Sequence, residues 1–276
     1  MSGSATDVAA TDAVVLPRLP RFSQLPGGTL GLEALGLLIG AIAWELVGLA
    51  NVSQFLPPLH SVVARIGSLI ANGQLESPLF SSLENLLIGF AVSVVGGVLI
   101  GTAMAVSRYV DYALRVYVNF LMAVPSVLLV PVLYEIFGLS SFTLIAVIVL
   151  YSSVFIVANT RTAVMSARAD LTDMARVFGT PPVRRFFTIT LRSAGPEIFG
   201  GLRVGMGRAV KGMFNGELLI AVVGLAQLDR TYAGAFDATG ILAIALVILV
   251  IAVALAAIVE VINRALNGWA MTHGRH

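Results

Sequence analysis

The chain has 276 residues, of which 58% are hydrophobic and 12% charged, with a formal net charge of +2. Soluble domains carry about 25% charged residues, so this chain has too little polar surface to coat a globule in water. That excludes the ordinary soluble enzyme and the nucleic-acid binder and implies a polytopic membrane protein. Cysteine is absent, which removes disulfides, thiolate metal sites and a cysteine nucleophile. His60, His273 and His276 are scattered, so neither a metal site nor a cofactor is expected in this chain.

Taken in order, residues 1–28 contain Pro17, Pro20 and Pro26 and lack the basic start and apolar core of a signal peptide. They read as a disordered cytosolic tail, which leaves the first span as an uncleaved anchor. A helix needs about 20 mostly apolar residues to cross the hydrocarbon layer. Four uncharged segments meet that need: Glu84 to Arg108, Arg115 to Glu135, Ile136 to Thr160, and Ile241 to Val259. Two further segments carry charge: 29–50, with Glu33 and Glu45, and about 204–226, with Arg208, Lys211 and Glu217. The expectation is six spans.

Pro125 and Pro131 fall inside the third span. Each removes a helix hydrogen bond and is expected to kink the span, which places it inside the bundle along a pathway. The outer segment 52–82 opens with Pro57-Pro58, after which Val62, Val63, Ile66, Leu69 and Ile70 share one helical face. That pattern fits a short helix lying on the outer membrane surface, with a lid over the pathway as the rival.

With six spans both ends share one side. Fifteen of the seventeen basic residues then face that side, with only Arg65 and Arg230 opposite. Positively charged loops stay in the cytosol, so both ends are expected there.

The single long cytosolic loop, 160–203, shows Leu171, Met174, Ala175 and Phe178 at helical spacing. Gly179 supplies a stop, Thr180 an N-cap, and Pro181 a first helical position. A second amphipathic stretch follows, with Val183, Phe186, Phe187 and Leu191 on one face beside Arg184 and Arg185. Helix, glycine turn and helix on the cytosolic side read as a docking element; the plainer alternative is a loop resting on lipid. Gly36/Gly40, Gly97/Gly101, Gly201/Gly205 and Gly212/Gly216 are spaced for close helix approach, within one bundle or across a dimer.

Several motifs agree in order along residues 55–270. DMARVFG (173–179) is followed by LRSAGPEIFGGLRVG (191–205). SLENLLIGF (82–90), GGVLIGTAMA (96–105), Val124-Pro125, Glu217-Leu218-Leu219, Gly224-Leu225-Ala226 and Trp269 accompany them. This set resembles ATP-binding-cassette (ABC) importer permeases of the nitrate/sulfonate/taurine/bicarbonate type.

The resemblance implies an all-α polytopic protein with the type I importer permease fold, six transmembrane helices and a cytosolic coupling-helix loop. It implies a bacterial inner-membrane location and a small solute, an anion such as nitrate, a sulfonate, bicarbonate or an organic acid. The implied partners are a second permease copy, two cytosolic ATPase subunits that bind the ATP, an extracytoplasmic solute-binding protein and membrane lipid. Carried over by position, Asp173, Met174, Ala175 and Gly179 occupy the coupling motif, with Arg184 and Arg185 flanking it. In this chain Asp173 replaces the usual Glu, Met174 the usual Ala, and Arg192 a usual Pro. Pro125, Glu217 and Lys211 are the pathway candidates.

No G-x-x-x-x-G-K-[ST] occurs, so ATP is expected on another chain. The chain divides into the tail 1–28, the first span and outer helix 29–82, a permease core 83–263 containing the loop, and a cytosolic tail 264–276. The alternative is an ion-coupled secondary carrier using Glu45, Glu135 or Glu217. Glu217 fits either a gate or a carboxylate held by a structural partner from another helix. Arg208 and Lys211 fit either an anion path or the cytosolic interface.

Overall fold

The computed structural model describes residues 28–51, 53, 55–167, 174–220 and 224–271, all helical or connecting. The helices are α1 (Gly28–Leu49), α2 (Leu59–Ala71), α3 (Glu76–Val106), α4 (Arg108–Ala123), α5 (Val130–Phe137), α6 (Ser141–Met165), α7 (Leu191–Ile220), α8 (Leu225–Gly234) and α9 (Ala238–Met271). Both expected terminal tails fall outside the described residues, apart from the helical stretch 264–271 that α9 adds to the second.

Among the described residues α3, α6 and α9 are each long and apolar enough to cross a membrane. The pair α4 and Ser126–Phe137 passes only as a unit, bent by 102°. Helix directions show what that bend does. On α3, Gly89, Gly97 and Gly101 face Ile148, Ile156 and Thr160 of α6, in rising order on both helices. The two are therefore parallel, and the chain between them must recross the bilayer through the bent pair. Gly201, Gly205, Gly212 and Gly216 of α7 meet Asn159, Ile156, Tyr151 and Leu144 in falling order, so α7 runs antiparallel to α6. The Arg203–Glu260 ion pair at 3.7 Å matches the start of α7 with the far half of α9. Counted with α1 and α7, which do not meet that test by themselves, these directions fit the six expected spans, with the start of α1 and the end of α9 on one side.

The third span bends at Pro125 as expected and departs from expectation at Pro131. Its first half ends at Ala123, Pro125 sits in the break, and Pro131 falls in the first turn of α5. A proline there has no hydrogen bond to lose, so Pro131 starts a helix. Pro125, a pathway candidate by sequence, marks the break itself.

The glycine pairs mostly serve this bundle. A Cβ on Gly97 would stand 2.7 Å from Ile156 Cγ2, and one on Gly101 would stand 2.6 Å from the Val157 carbonyl oxygen. Such contacts let α3 and α6 backbones touch, and Ser93 and Ser152 join them by a buried hydroxyl bridge of 2.6 Å. Gly36 and Gly40 of α1 meet nothing within 4 Å in the protomer.

The outer helix α2 divides its apolar face. Val62 and Leu69 are buried against Ala243, Ile244 and Val247 of α9, while Val63 and Ile70 remain more than half exposed. It therefore packs on the bundle as well as facing outward. Trp44 Nε1 donates to the Pro57 carbonyl at 3.1 Å, and His60 pairs with Glu45 at 2.6 Å, fixing α1 to the start of α2.

Candidate functional site

The segment after α6 begins, among described residues, at Met174; Asp173 lies outside them. Residues 174–177 form one helical turn. Its end is closed twice: Gly179 N–H bonds the Arg176 carbonyl and Thr180 N–H the Ala175 carbonyl, both at 3.0 Å. That paired closure needs a left-handed residue after the last helical one, and Gly179 provides it at φ +71° without a Cβ penalty.

The expected cap of the next helix, Thr180 with Pro181 in first position, does not form. Instead Pro182 opens the helix, and Arg185 N–H bonds the Pro181 carbonyl at 2.9 Å. The cause is Pro182, which disfavours a helical conformation at the residue before it and so keeps Pro181 out of the helix. Nor does this helix stop at Arg192. It passes through a wide turn at Phe186–Thr190, where Leu191 N–H bonds Phe186 five residues back, and runs straight into α7. Half of the expected loop 160–203 is therefore an extension of the helix of the fifth span, and Arg192 continues a helix where a proline would have broken it.

Burial sorts the coupling candidates. Ala175 is 8% exposed, whereas Met174, Val177 and Phe178 are 57%, 84% and 80% exposed. Val183 and Phe187 are also largely exposed, and Phe186 turns inward against its neighbour's ring edge. Arg184 is exposed and Arg185 half-buried. The result is an apolar knob edged with arginine at one end of the bundle. Between it and α3 lies an open groove of about 710 Å³ lined by Val98, Leu99, Val106, Phe186, Phe187 and Arg185 among others.

The same end of the bundle is braced by charge. Asp111, in the first turn of α4, accepts from Arg115 and from Arg161 at the end of α6, the Arg161 Nη2 contact being 2.9 Å. This clasp fixes where α6 delivers the chain to the knob. Sequence reasoning passes over it, since Asp111 and Arg161 are fifty residues apart and carry no motif.

At the opposite end Glu217 is fully buried. Its carboxylate accepts from Ser82 Oγ at 2.6 Å and from the Ala226 N–H at 3.2 Å, while Ser82 Oγ accepts from the Leu225 N–H at 3.0 Å. A carboxylate from α7 and a hydroxyl from α3 thus satisfy the open N–H groups at the start of α8, where an anion is favoured by the helix dipole. Gly224 passes directly over the carboxyl at φ +83°; a Cβ there would lie 2.3 Å from Glu217 Cδ. The Glu217…Gly224-Leu225-Ala226 spacing is the sequence signature of this knot. Glu217, a pathway candidate by sequence, is enclosed within one protomer and capped by neutral donors.

Lys211, the third pathway candidate, is exposed on α7 together with Val204 and Arg208, and Asn215 continues the same face half-buried. No described residue forms an ion pair with Arg208 or Lys211.

A family model described as "binding-protein-dependent transport system inner membrane component" matches residues 93–269. The chain belongs to this family. A Brucella melitensis protein described as a probable ABC transporter permease is 30% identical over 196 residues, which is 71% of this chain and 79% of that one. The taurine transport system permease protein of Escherichia coli is 27% identical over 248 residues, covering 87% of this chain and 90% of that one. Among solved structures, an amino acid ABC transporter crystallised with histidines superposes with a TM-score of 0.59, covering 72% of this chain and 97% of that one at 15% identity. At that identity the likeness shows the fold. The chain is therefore a transport permease of the ABC importer family, with the all-α type I importer fold; the ion-coupled carrier reading gives way to it.

Proposed function

We propose that two copies of this chain form the translocation pathway of an importer driven by two separate cytosolic ATPase subunits and supplied by an extracytoplasmic binding protein. The observation that carries this reading is the apolar knob Met174, Val177 and Phe178, closed by Gly179 and flanked by Arg184 and Arg185. Bare side chains of this size on the arginine-rich side call for a partner surface. ATP-driven closure of the partners would push the knob. Because the following helix is continuous with α7, that push would be transmitted as rigid-body motion of the bundle. ATP stays on the partner, so this chain needs no cofactor of its own.

The pathway wall is the α6–α7 face bearing Lys211, and both termini lie in the cytosol of a bacterial inner membrane, a reading supported by the arginine bias of one side. Two of the carrier alternative's three groups are held structurally, Glu45 by His60 and Glu217 by the start of α8, while Glu135 is exposed.

Purification of the tagged chain from its own membrane in mild detergent tests the proposal. The expected result is a co-purifying ATP-hydrolysing subunit and a permease dimer. A chain that purifies alone and takes up solute on an ion gradient overturns it.

A further inference from the structure

The solutes named for relatives differ in charge and shape, so similarity leaves the chemistry of the cargo open. The structure speaks to it through the middle of α7. Its inward face is tightly packed: Gly205, Met206, Ala209, Gly212 and Met213 are buried. Its outward face carries Val204, Arg208, Lys211 and Asn215, spaced i, i+4, i+7 and i+11.

The depth of these cations follows from their neighbours on α6 (Ser141–Met165). Arg208 lies over the Phe155 ring, 4.1 Å from its centroid, and Gly212 packs on Tyr151. Phe155 and Tyr151 lie within a turn of the middle of this spanning helix. Arg208 and Lys211 are therefore at mid-membrane depth, well away from the cytosolic interface.

Two cations at that depth, exposed on the protomer surface and without an acidic partner among the described residues, do not face lipid. A charged side chain at the bilayer centre is costly and turns to a bundle interior or a water-filled cavity. The aromatic and polar lining agrees. Phe155 holds the guanidinium by cation–π attraction, and Asn215 Nδ2 donates to Tyr151 Oη at 3.2 Å. That leaves one amide and one phenol beside the cations.

Resting on the pathway reading above, we infer that Arg208, Lys211 and Asn215 on α7, with Phe155 and Tyr151 on α6, form a mid-membrane binding station for a small anion. Carboxylate, sulfonate and nitrate-like oxyanions all fit this chemistry. Arg208 offers planar, paired donors and Lys211 a point charge, which together recognise an oxyanion while leaving it free to move on. The cation–π contact fixes the guanidinium without neutralising it, so the site keeps its positive potential when empty. Cationic solutes are excluded by the same field.

The absence of cysteine makes the test direct. Asn215→Cys and, separately, Val204→Cys place one thiol at either end of the station in the full transporter in proteoliposomes. Each is treated with the anionic 2-sulfonatoethyl and the cationic 2-(trimethylammonio)ethyl methanethiosulfonate. The thiolate attacks the reagent's sulfenyl sulfur, forms the mixed disulfide and expels methanesulfinate. Each rate is divided by that reagent's rate with a free thiol in solution.

The inference predicts that the anionic reagent is favoured at least about tenfold, as for a charged cleft that concentrates counter-ions. It predicts that Arg208→Gln with Lys211→Gln abolishes the preference while the thiols remain reactive. Reactivity with equal rates, or with the cationic reagent favoured, overturns the anion station and leaves the pathway reading standing. Thiols at both positions that react with neither reagent overturn the pathway reading as well. A preference that survives Arg208→Gln with Lys211→Gln assigns the field to other residues and overturns the roles of Arg208 and Lys211.

Discussion

The two ends of the bundle are built on opposite terms. In the Glu217 knot the polar groups satisfy one another: carboxylate, hydroxyl and two main-chain N–H groups close together, and Gly224 lies on top without room for a methyl group. At the arginine-rich end Met174, Val177 and Phe178 stand out with nothing over them, although Gly179 holds their backbone firmly. A buried polar group without a partner costs stability, so the first end is closed within the chain. An exposed apolar knob is the reverse: its geometry is fixed and its contacts are left to another molecule. Conformational rigidity and chemical completeness are thus separable, and the end that is rigid yet incomplete is where the partner is expected.

The largest expected effect breaks the closed end. Gly224→Val adds a side chain into the Glu217 carboxyl at a left-handed φ that a β-branched residue avoids. The expected outcome is loss of folded transporter from the membrane, read as the monodisperse peak in detergent. A normal yield would mean that α8 is not held by Glu217.

Close behind comes a paired comparison. Gly101→Leu, whose Cβ meets the Val157 carbonyl and Thr160, should destabilise the α3–α6 seam by about 1–3 kcal/mol. Gly36→Leu, in open space, should leave protomer stability within about 0.5 kcal/mol. Thermal unfolding in detergent compares them, and equal losses would show that the seam is not where packing is limiting.

At the open end the effect shifts from stability to work. Gly179→Ala forces φ +71° on a residue with a Cβ, a local cost of about 1 kcal/mol. Little change in melting temperature is expected, with uptake per ATP hydrolysed falling several-fold as the knob loosens. Uptake and hydrolysis falling together, with a large drop in melting temperature, would instead mark Gly179 as purely structural.

The smallest effect concerns Asp229 on α8, outside the spans. Burial raises its carboxyl pKa above the usual aspartate value. A group whose folded pKa is raised destabilises the fold once ionised. Asp229→Asn should therefore gain under about 1 kcal/mol at pH 7, and that gain should shrink as pH falls and the native carboxyl takes up its proton. A gain that is constant with pH would assign the effect to something other than ionisation.

The sequence displays the parts of this fold that rest on repeated local pattern. Long apolar runs, the arginine bias and the helix–Gly179–helix rhythm each follow from a rule that acts within a few residues, and all three recur in the structure. What escapes it depends on contacts between distant segments. Pro125 marks the bend of the third span in sequence, but its 102° size and the helix that Pro131 starts do not show there. The Asp111–Arg161 clasp joins two residues with no shared motif. Glu217 is ambiguous in sequence because its partners are a serine on α3 and main-chain N–H groups on α8, none of them visible as charge. Lys211 and Arg208 have no depth until Phe155 and Tyr151 supply a ruler. The expected Thr180 cap fails for a local reason, since Pro182 disfavours a helical Pro181 before it.

The central claim, that the exposed knob is where a separate ATPase engages, is tested most directly by ATPase retention. The chain carrying Val177→Asp with Phe178→Asp is purified beside one carrying Phe236→Asp, an equally exposed apolar side chain, 82% accessible, between α8 and α9. The account predicts that both insert in the membrane, that the first loses its ATPase subunit, and that the second keeps it. Retention of the ATPase by both, or its loss from both, contradicts it.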